Sequence, residues 1–316
     1  MKYCLKQVTG VNLNADKKFF SKIGFNYLTM GLIAIVFQII LVNILAYTNM
    51  DLLNDINFLA VLSSFCNYVI PLPIFIYLMG KLDSQEIKKE RLGIQKLIIY
   101  VSVGFTITLF GNVFGIIITS IISQFIGNAV ANPVHDLVNS TDILLNIILI
   151  CLIGPIFEEL IFRKLLIDRT IKYGAKASII ISAVLFAFFH GNLNQFCYTL
   201  LFGGLLAYVY IKTGQIIYPI ILHIIANLMG SVVTLFFSAS ATAIISWSFS
   251  VTDIIIVTIY FIVTLLLFLI GCFKLIYCDK TEFLKKMPIP LKTIFLNYGM
   301  VCFILFFTFV IIQQIV

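Results

Sequence analysis

Charge is scarce in this sequence. Asp, Glu, Lys and Arg make up 11% of its 316 residues, against roughly a quarter in an average soluble domain, and that shortage excludes a water-soluble globular protein. The hydrophobic share of 61% and the mean hydropathy of +1.09 say the same. Polar low-complexity sequence and short repeats are missing, so disorder, a collagen-like chain and a long coiled coil are excluded as well. The ten-residue alternating segments of a membrane barrel are also absent; the apolar residues come in continuous runs of about 20, the length of a membrane-crossing helix. No CxxC or CxxH spacing exists. The cysteines (Cys4, Cys66, Cys151, Cys197, Cys272, Cys278 and Cys302) are scattered, mostly within apolar runs, and read as small buried hydrophobes.

What is present is an all-α, polytopic helical bundle. Runs able to cross or nearly cross a bilayer fall at roughly 24–47, 56–80, 97–127, 143–164, 178–191, 195–211, 216–237, 253–277 and 293–315, which predicts about eight to nine transmembrane segments. All 21 Lys and Arg lie in alternate connections: 2–22, 81–96, 163–176, Lys212 and 274–292. The connections 48–55, 128–142, 191–194 and 238–252 contain none. By the positive-inside rule the N-terminus is cytoplasmic. This segregation accounts for the formal net charge of +7, so no nucleic-acid partner is expected. The first run follows a polar leader with five lysines and reads as an uncleaved anchor. The 97–127 run is too long for the bilayer and should tilt, bend at Gly104, Gly111 or Gly115, or project. The 178–191 run is too short, as segments bordering a cavity often are. The chain divides into N-terminal membrane helices (1–142), a core rich in intramembrane polar residues (143–237) and C-terminal membrane helices (238–316).

Among the 14 acidic residues only Glu158 and Glu159 lie well inside an apolar run. An ionised carboxylate in a membrane helix costs roughly 2.5–3.5 kcal/mol on insertion scales, so an adjacent pair calls for a reason. Glu159 and Arg163 are four apart, the spacing of a helical ion pair. Glu158 lies about 100° around the helix and is the free carboxylate. His190 ends the run Phe186-Ala187-Phe188-Phe189, and His223 shares a helix face with Asn227 one turn on. His135, in the segment 128–142, reads as a solvated histidine. Counted at about 1.5 Å per residue, Glu158 is roughly 9 Å from Lys164, His190 roughly 20 Å from Lys176, and His223 and Asn227 roughly 12 and 18 Å from Gln215. All four distances run from the basic, cytoplasmic face, which predicts a site opening toward the cytoplasm.

A carboxylate in apolar surroundings can take a proton from water, and a neighbouring histidine can hold that water or protonate a leaving amine. His223 and Asn227 can supply donors to a developing oxyanion. A metal version would use a divalent ion such as zinc, with Glu158, Glu159, His190 and His223 as candidate ligands. The sequence has no HExxH, GxSG or GxGD motif. A proton- or cation-coupled transporter is the competing reading of buried Glu and His.

The ordered set Glu158-Glu159-x-x-x-Arg163, Phe186-x-x-x-His190 and His223-x-x-x-Asn227 resembles the CPBP family, the CAAX-processing and bacteriocin-processing intramembrane proteases that include the type II CAAX prenyl endopeptidase. The resemblance implies Glu158 and His190 for water activation, His223 and Asn227 for the oxyanion site, and Glu159 with Arg163 as support. It implies a metalloprotease or a metal-free glutamate mechanism, and an intramembrane endopeptidase acting on membrane-associated proteins or peptides. A non-catalytic immunity or signalling scaffold is the third reading. Lys164 departs from the pattern, since many members carry Gly there. The Ile-, Phe- and Lys-rich composition suits an AT-rich bacterial genome, hence a bacterial plasma membrane. The expected partners are membrane lipids and the substrate; the sequence leaves oligomeric state open.

Overall fold

The computed structural model describes residues 13–277 and 287–315. The connection 278–286, with Lys280, Lys285 and Lys286, and the leader before 13 lie outside the described residues. Among the described residues there is no strand, and seven helices are long and apolar enough to cross a membrane. They are α1 (Leu13–Thr48), the broken pair α2 (Ile56–Tyr68) and α3 (Pro71–Gly80), α4 (Ile94–Ile126), α6 (Ile143–Tyr173), α8 (Leu193–Thr213), α9 (Ile217–Ile245) and α10 (Val251–Ile276). Short α5 (Pro133–Ser140) and α11 (Leu291–Phe295) lie between them. Two shorter apolar helices, α7 (Ala175–Phe189) and α12 (Tyr298–Gln313), complete nine apolar segments, in line with the hydropathy reading.

Two boundaries move, for one reason. The first helix starts at Leu13, not near residue 24, and α6 runs to Tyr173, not to residue 164. Hydropathy stops at the first charged residues, but here partners keep those residues helical and covered. Asp168 is nearly buried (6% exposed); its carboxylate pairs with Lys164 at 2.7 Å and accepts from the Tyr210 hydroxyl at 2.7 Å. Arg169 donates to the Met79 carbonyl at 2.6 Å. Asp16 accepts from the Tyr173 hydroxyl, and Lys172 lies over the Phe19 ring. Asp168 therefore joins Glu158 and Glu159 as an acidic residue inside a membrane-length helix. The over-long run at 94–126 is one continuous helix of about 50 Å, longer than the hydrocarbon core of a bilayer.

Helix packing relies on small residues, as expected where lipid removes the hydrophobic drive between helices. Gly111 of α4 faces Tyr198 of α8 so closely that a Cβ at 111 would stand 2.5 Å from Tyr198 Cα. Gly271 of α10 meets Ser102 and Thr106 of α4, and Gly24 of α1 meets Gly299 of α12. The largest buried cluster joins Tyr27, Phe75, Phe162, Phe186 and Phe303 from α1, α3, α6, α7 and α12. Residues between α3 and α4 form an extended strap over the ends of α6, α8 and α9. Gln85 N–H donates to Asp168 O, Glu90 N–H to Thr213 O, Leu92 N–H to the Tyr218 hydroxyl, and Gln215 Nε2 to Glu90 O. The strap brings the basic residues of 81–96 to the same end of the bundle as Lys172 and Lys212.

Candidate active site

The backbone of α6 is not a uniform α-helix. It is π-helical over Asn146–Ile153 and again over Leu160–Leu165, with the α-helical Gly154–Glu159 between. Pro155 has no N–H, so it cannot continue the regular ladder and the wider turn accommodates it. A π-stretch re-aims side chains and offers carbonyls to other groups. Here those carbonyls are taken: Ile161 O by the Tyr27 hydroxyl at 2.9 Å, Phe162 O by the Ser182 hydroxyl at 2.9 Å, and Ile150 O by Asn227 Nδ2 at 2.8 Å. A third π-stretch, Met229–Val233, follows Asn227 in α9. The helix that presents the two glutamates is thus tied to α1, α7 and α9 by hydrogen bonds to its own backbone.

Glu159 and Arg163 are both fully buried and in ion-pair contact at 3.0 Å, charge against charge and off a hydrogen-bond axis. The other Glu159 oxygen accepts from His223 Nδ1 at 2.7 Å. Arg163 donates through Nη2 to Gly203 O at 3.3 Å, and its guanidinium lies 4.3 Å above the Phe186 ring. Gly203 is needed there, because a Cβ would come within 2.8 Å of Phe186 and 3.5 Å of Arg163. Glu159 is consequently committed on both sides. Its neighbour is not: Glu158 keeps 25% of its side chain exposed and has His223 Nε2 3.8 Å from its carboxylate.

The two histidines are held in defined states by their partners. A carbonyl can only accept, so the 2.7 Å contact of His190 Nδ1 with Phe186 O puts the proton on Nδ1 and leaves Nε2 as the ring's open nitrogen. His223 donates Nδ1–H to Glu159, with its ring edge-on to Phe186 and Phe202, both at 5.8 Å. Phe186 also packs edge-on to His190 at 4.6 Å, so one phenyl ring fixes both imidazoles and the arginine. The chain turns directly after His190 through Gly191, whose φ of +64° favours glycine. Asn192 then caps α8 by accepting from Gln195 N–H. Asn227 spends one amide N–H on Ile150 O and keeps the second.

Glu158, Glu159, Arg163, His190 and His223 thus form one cluster, with Asn227 anchored beside it on α6. His135 stands apart in α5, exposed and 3.5 Å from Asp136. One turn from the cluster toward the basic end, Phe162, Arg163, Phe186, Phe202, Leu206 and Leu222 are all at most 5% exposed. Because α6 continues to Tyr173, Glu158 also lies deeper than the count from Lys164 suggested, about 22 Å from the helix end.

Residues 140–229 match the family described as "Type II CAAX prenyl endopeptidase Rce1-like". This stretch is a CPBP-family segment. All seven motif residues lie within it. The chain is also 28% identical over 145 residues to a protein named "Putative membrane peptidase YdiL" from Bacillus subtilis (strain 168), covering 44% of this chain and 57% of that protein. The chain therefore spans little more than half the length of that relative. No solved structure matches the chain.

The CPBP motifs leave metal binding as a geometric question. The open donors are Glu158, His190 Nε2 and His223 Nε2, while Glu159 is occupied by Arg163 and His223. Among the described residues no three His, Cys, Asp or Glu side chains stand close enough together to hold a metal ion. The arrangement of these described residues as it stands does not fit a metal.

Two tyrosines outside the motifs also face Glu158. Tyr68 packs on Phe157, the residue before Glu158, with ring centroids 4.7 Å apart, and both Tyr68 and Tyr198 lie within reach of the Glu158 charge. Asn192 Nδ2 donates to Gln195 Oε1 at 2.5 Å, and Gln195 Nε2 donates to the Tyr198 hydroxyl at 2.7 Å. Sequence reasoning missed both tyrosines. Its one signal for Tyr68 was Pro71, which marks the break between α2 and α3.

Proposed function

We propose that the chain is an intramembrane endopeptidase that hydrolyses peptide bonds of membrane-associated proteins or peptides. The observation that carries the reading is the division of labour between adjacent glutamates: Glu159 is paired twice and buried, whereas Glu158 stays partly open beside two imidazoles. In this reading Glu158 takes a proton from a water that His190 Nε2 orients by accepting its second hydrogen, and the resulting hydroxide attacks the scissile carbonyl. With Nδ1–H held by Glu159, His223 carries a second proton on Nε2 when it donates, together with the second N–H of Asn227, to the developing oxyanion, and the proton held by Glu158 passes to the leaving amine. Glu159 fixes the orientation of His223 in the way a carboxylate orients a catalytic imidazole. The match to an Rce1-like family and the membrane-peptidase relative support this reading. The roles of individual residues rest on the geometry and on the family resemblance.

Comparative membrane proteomics tests the reading. At least one membrane-associated protein should accumulate uncut in cells carrying Glu158→Gln and be cleaved in cells carrying the wild type. An unchanged membrane proteome across the pair would remove the proposal.

We also propose a bacterial plasma membrane, with the N-terminus and the basic connections on the cytoplasmic side. The strap supports this by joining residues 85–92 to Asp168, Thr213 and Tyr218 at one end of the bundle. In a variant without native cysteines, a membrane-impermeant thiol reagent should label a cysteine placed in 128–142 on intact cells. One placed in 81–96 should be labelled only after permeabilisation. The reverse pattern would invert the topology.

A further inference from the structure

We infer that Tyr198, a residue outside the three motifs, is a further catalytic residue whose hydroxyl donates a hydrogen bond to the oxygen of the scissile carbonyl beside His223 and Asn227; this rests on the protease reading of the site. The direction of its hydrogen bonds is fixed from the backbone. Gln195 N–H can only donate, and it donates to the Asn192 side chain at 2.9 Å, which must therefore present its oxygen there. The other terminus of Asn192 is the amide nitrogen, which donates to His190 O at 3.3 Å and to Gln195 Oε1. Gln195 is left with Nε2, which donates to the Tyr198 hydroxyl at 2.7 Å. Tyr198 is thus the acceptor of that bond, and its own proton points elsewhere. Among the described residues its hydroxyl makes no other hydrogen bond.

Helix packing gives the position of this donor. α8 ends at Thr213 and α9 begins at Ile217, a connection so short that the two helices run antiparallel as neighbours. Phe202 of α8 packs edge-on to His223 of α9 with ring centroids 5.8 Å apart. Tyr198 lies one turn before Phe202, and Asn227 one turn after His223, each on the same face of its helix. In an antiparallel pair those two steps lead the same way along the bundle, so Tyr198 stands level with Asn227. Aromatic side chains on a helix lean toward its N-terminus, so the step of one turn holds for the two rings of α8 as well as for their Cα atoms. The Tyr198 backbone is set against Gly111 of α4 and its hydroxyl against Gln195, which orients the donor before substrate arrives. Donors fixed in advance toward developing charge lower the barrier most. The phenol also complements His223: the imidazole needs a second proton to donate from Nε2, whereas the hydroxyl donates as a neutral group and keeps its proton throughout.

The test uses the full chain in detergent micelles and follows cleavage of the protein that accumulates in Glu158→Gln cells. Tyr198→Phe keeps the ring and removes the hydroxyl. It should lower kcat about a hundredfold, the usual effect of losing one oxyanion donor, with KM within about twofold of wild type and Tm unchanged. Gln195→Leu keeps the hydroxyl without its anchor and should lower kcat about tenfold. The double variant should be no slower than Tyr198→Phe, because both groups act through one donor. The acidic limb of the kcat/KM pH profile should not move in Tyr198→Phe. A hydroxyl that served the Glu158 carboxylate instead would, on removal, shift that limb to higher pH by about one unit. With cleavage stopped by Glu158→Gln, four results would each overturn the role of Tyr198 and leave the protease reading standing: wild-type kcat in Tyr198→Phe, a loss confined to KM, a shifted acidic limb, or a loss in Gln195→Leu as large as in Tyr198→Phe. The last would mean that the hydroxyl serves only to hold Gln195. A fall in Tm in parallel with activity would likewise make Tyr198 a packing residue. If Glu158→Gln changes no protein in the membrane, the protease reading falls and the role of Tyr198 falls with it.

Discussion

Glu158→Gln and His190→Ala should each reduce cleavage by at least about a hundredfold, the scale of general acid–base catalysis, with the amount of protein in the membrane close to wild type. The two substitutions reach that result by different routes. Glutamine keeps the shape of Glu158, but it has no carboxylate to take the proton. Removal of the His190 ring leaves Phe186 in place, since Phe186 is packed against Phe162, His223 and Arg163, and costs only the nitrogen that orients the water. Both sites are partly exposed, so no buried charge is stranded. Quantitative immunoblotting of membranes alongside a cleavage assay separates the outcomes. Loss of protein in parallel with activity in both variants would assign the cluster a structural role.

Arg163→Ala should behave in the opposite way, with abundance falling first and activity falling with it. Arg163 and Glu159 are fully buried, and removing one partner of a buried pair strands the other, at a cost of about 3–5 kcal/mol. Because total stabilities are about 5–15 kcal/mol, that is a large share of what holds the fold. The stranded Glu159 also remains bonded to His223, so an uncompensated charge sits directly behind that imidazole and disturbs its orientation. The double variant Arg163→Met with Glu159→Gln replaces the ion pair by neutral side chains of similar size and should recover much of the abundance without restoring full activity. Thermal melting in detergent measures this: recovery of Tm in the double variant is expected, and a double variant no more stable than Arg163→Ala would show that Arg163 acts through Gly203 and Phe186 and not through Glu159.

The helical class, the apolar segments and the candidate residues were legible in the linear sequence because each depends on local composition. A run of about 20 apolar residues has one solution in a bilayer, and charged or imidazole side chains within such runs stand out against it. The Glu159–Arg163 pair was legible for the same reason, since four residues apart on a helix means one face. The ends of α1 and α6 were not, because Asp168 and Arg169 look like loop residues until Tyr210, Lys164 and Met79 are brought against them by other helices. Depth counted from Lys164 was displaced by the same contacts.

Sequence alone determined that this chain is a polytopic helical membrane protein with a few intramembrane polar groups in three motifs, since periodicity and transfer energy act along the chain. Only tertiary structure decided how those groups are used. Rotation of each helix is set by packing, and packing turned His223 so that Nδ1 meets Glu159 and Nε2 faces Glu158. It buried Arg163, Phe186 and Phe202 on the side toward the basic end, and it brought Tyr68 from a distant helix onto Phe157, the residue before the open glutamate. A side chain's neighbours across a helix interface have no fixed sequence separation, so no spacing rule could have named Tyr68.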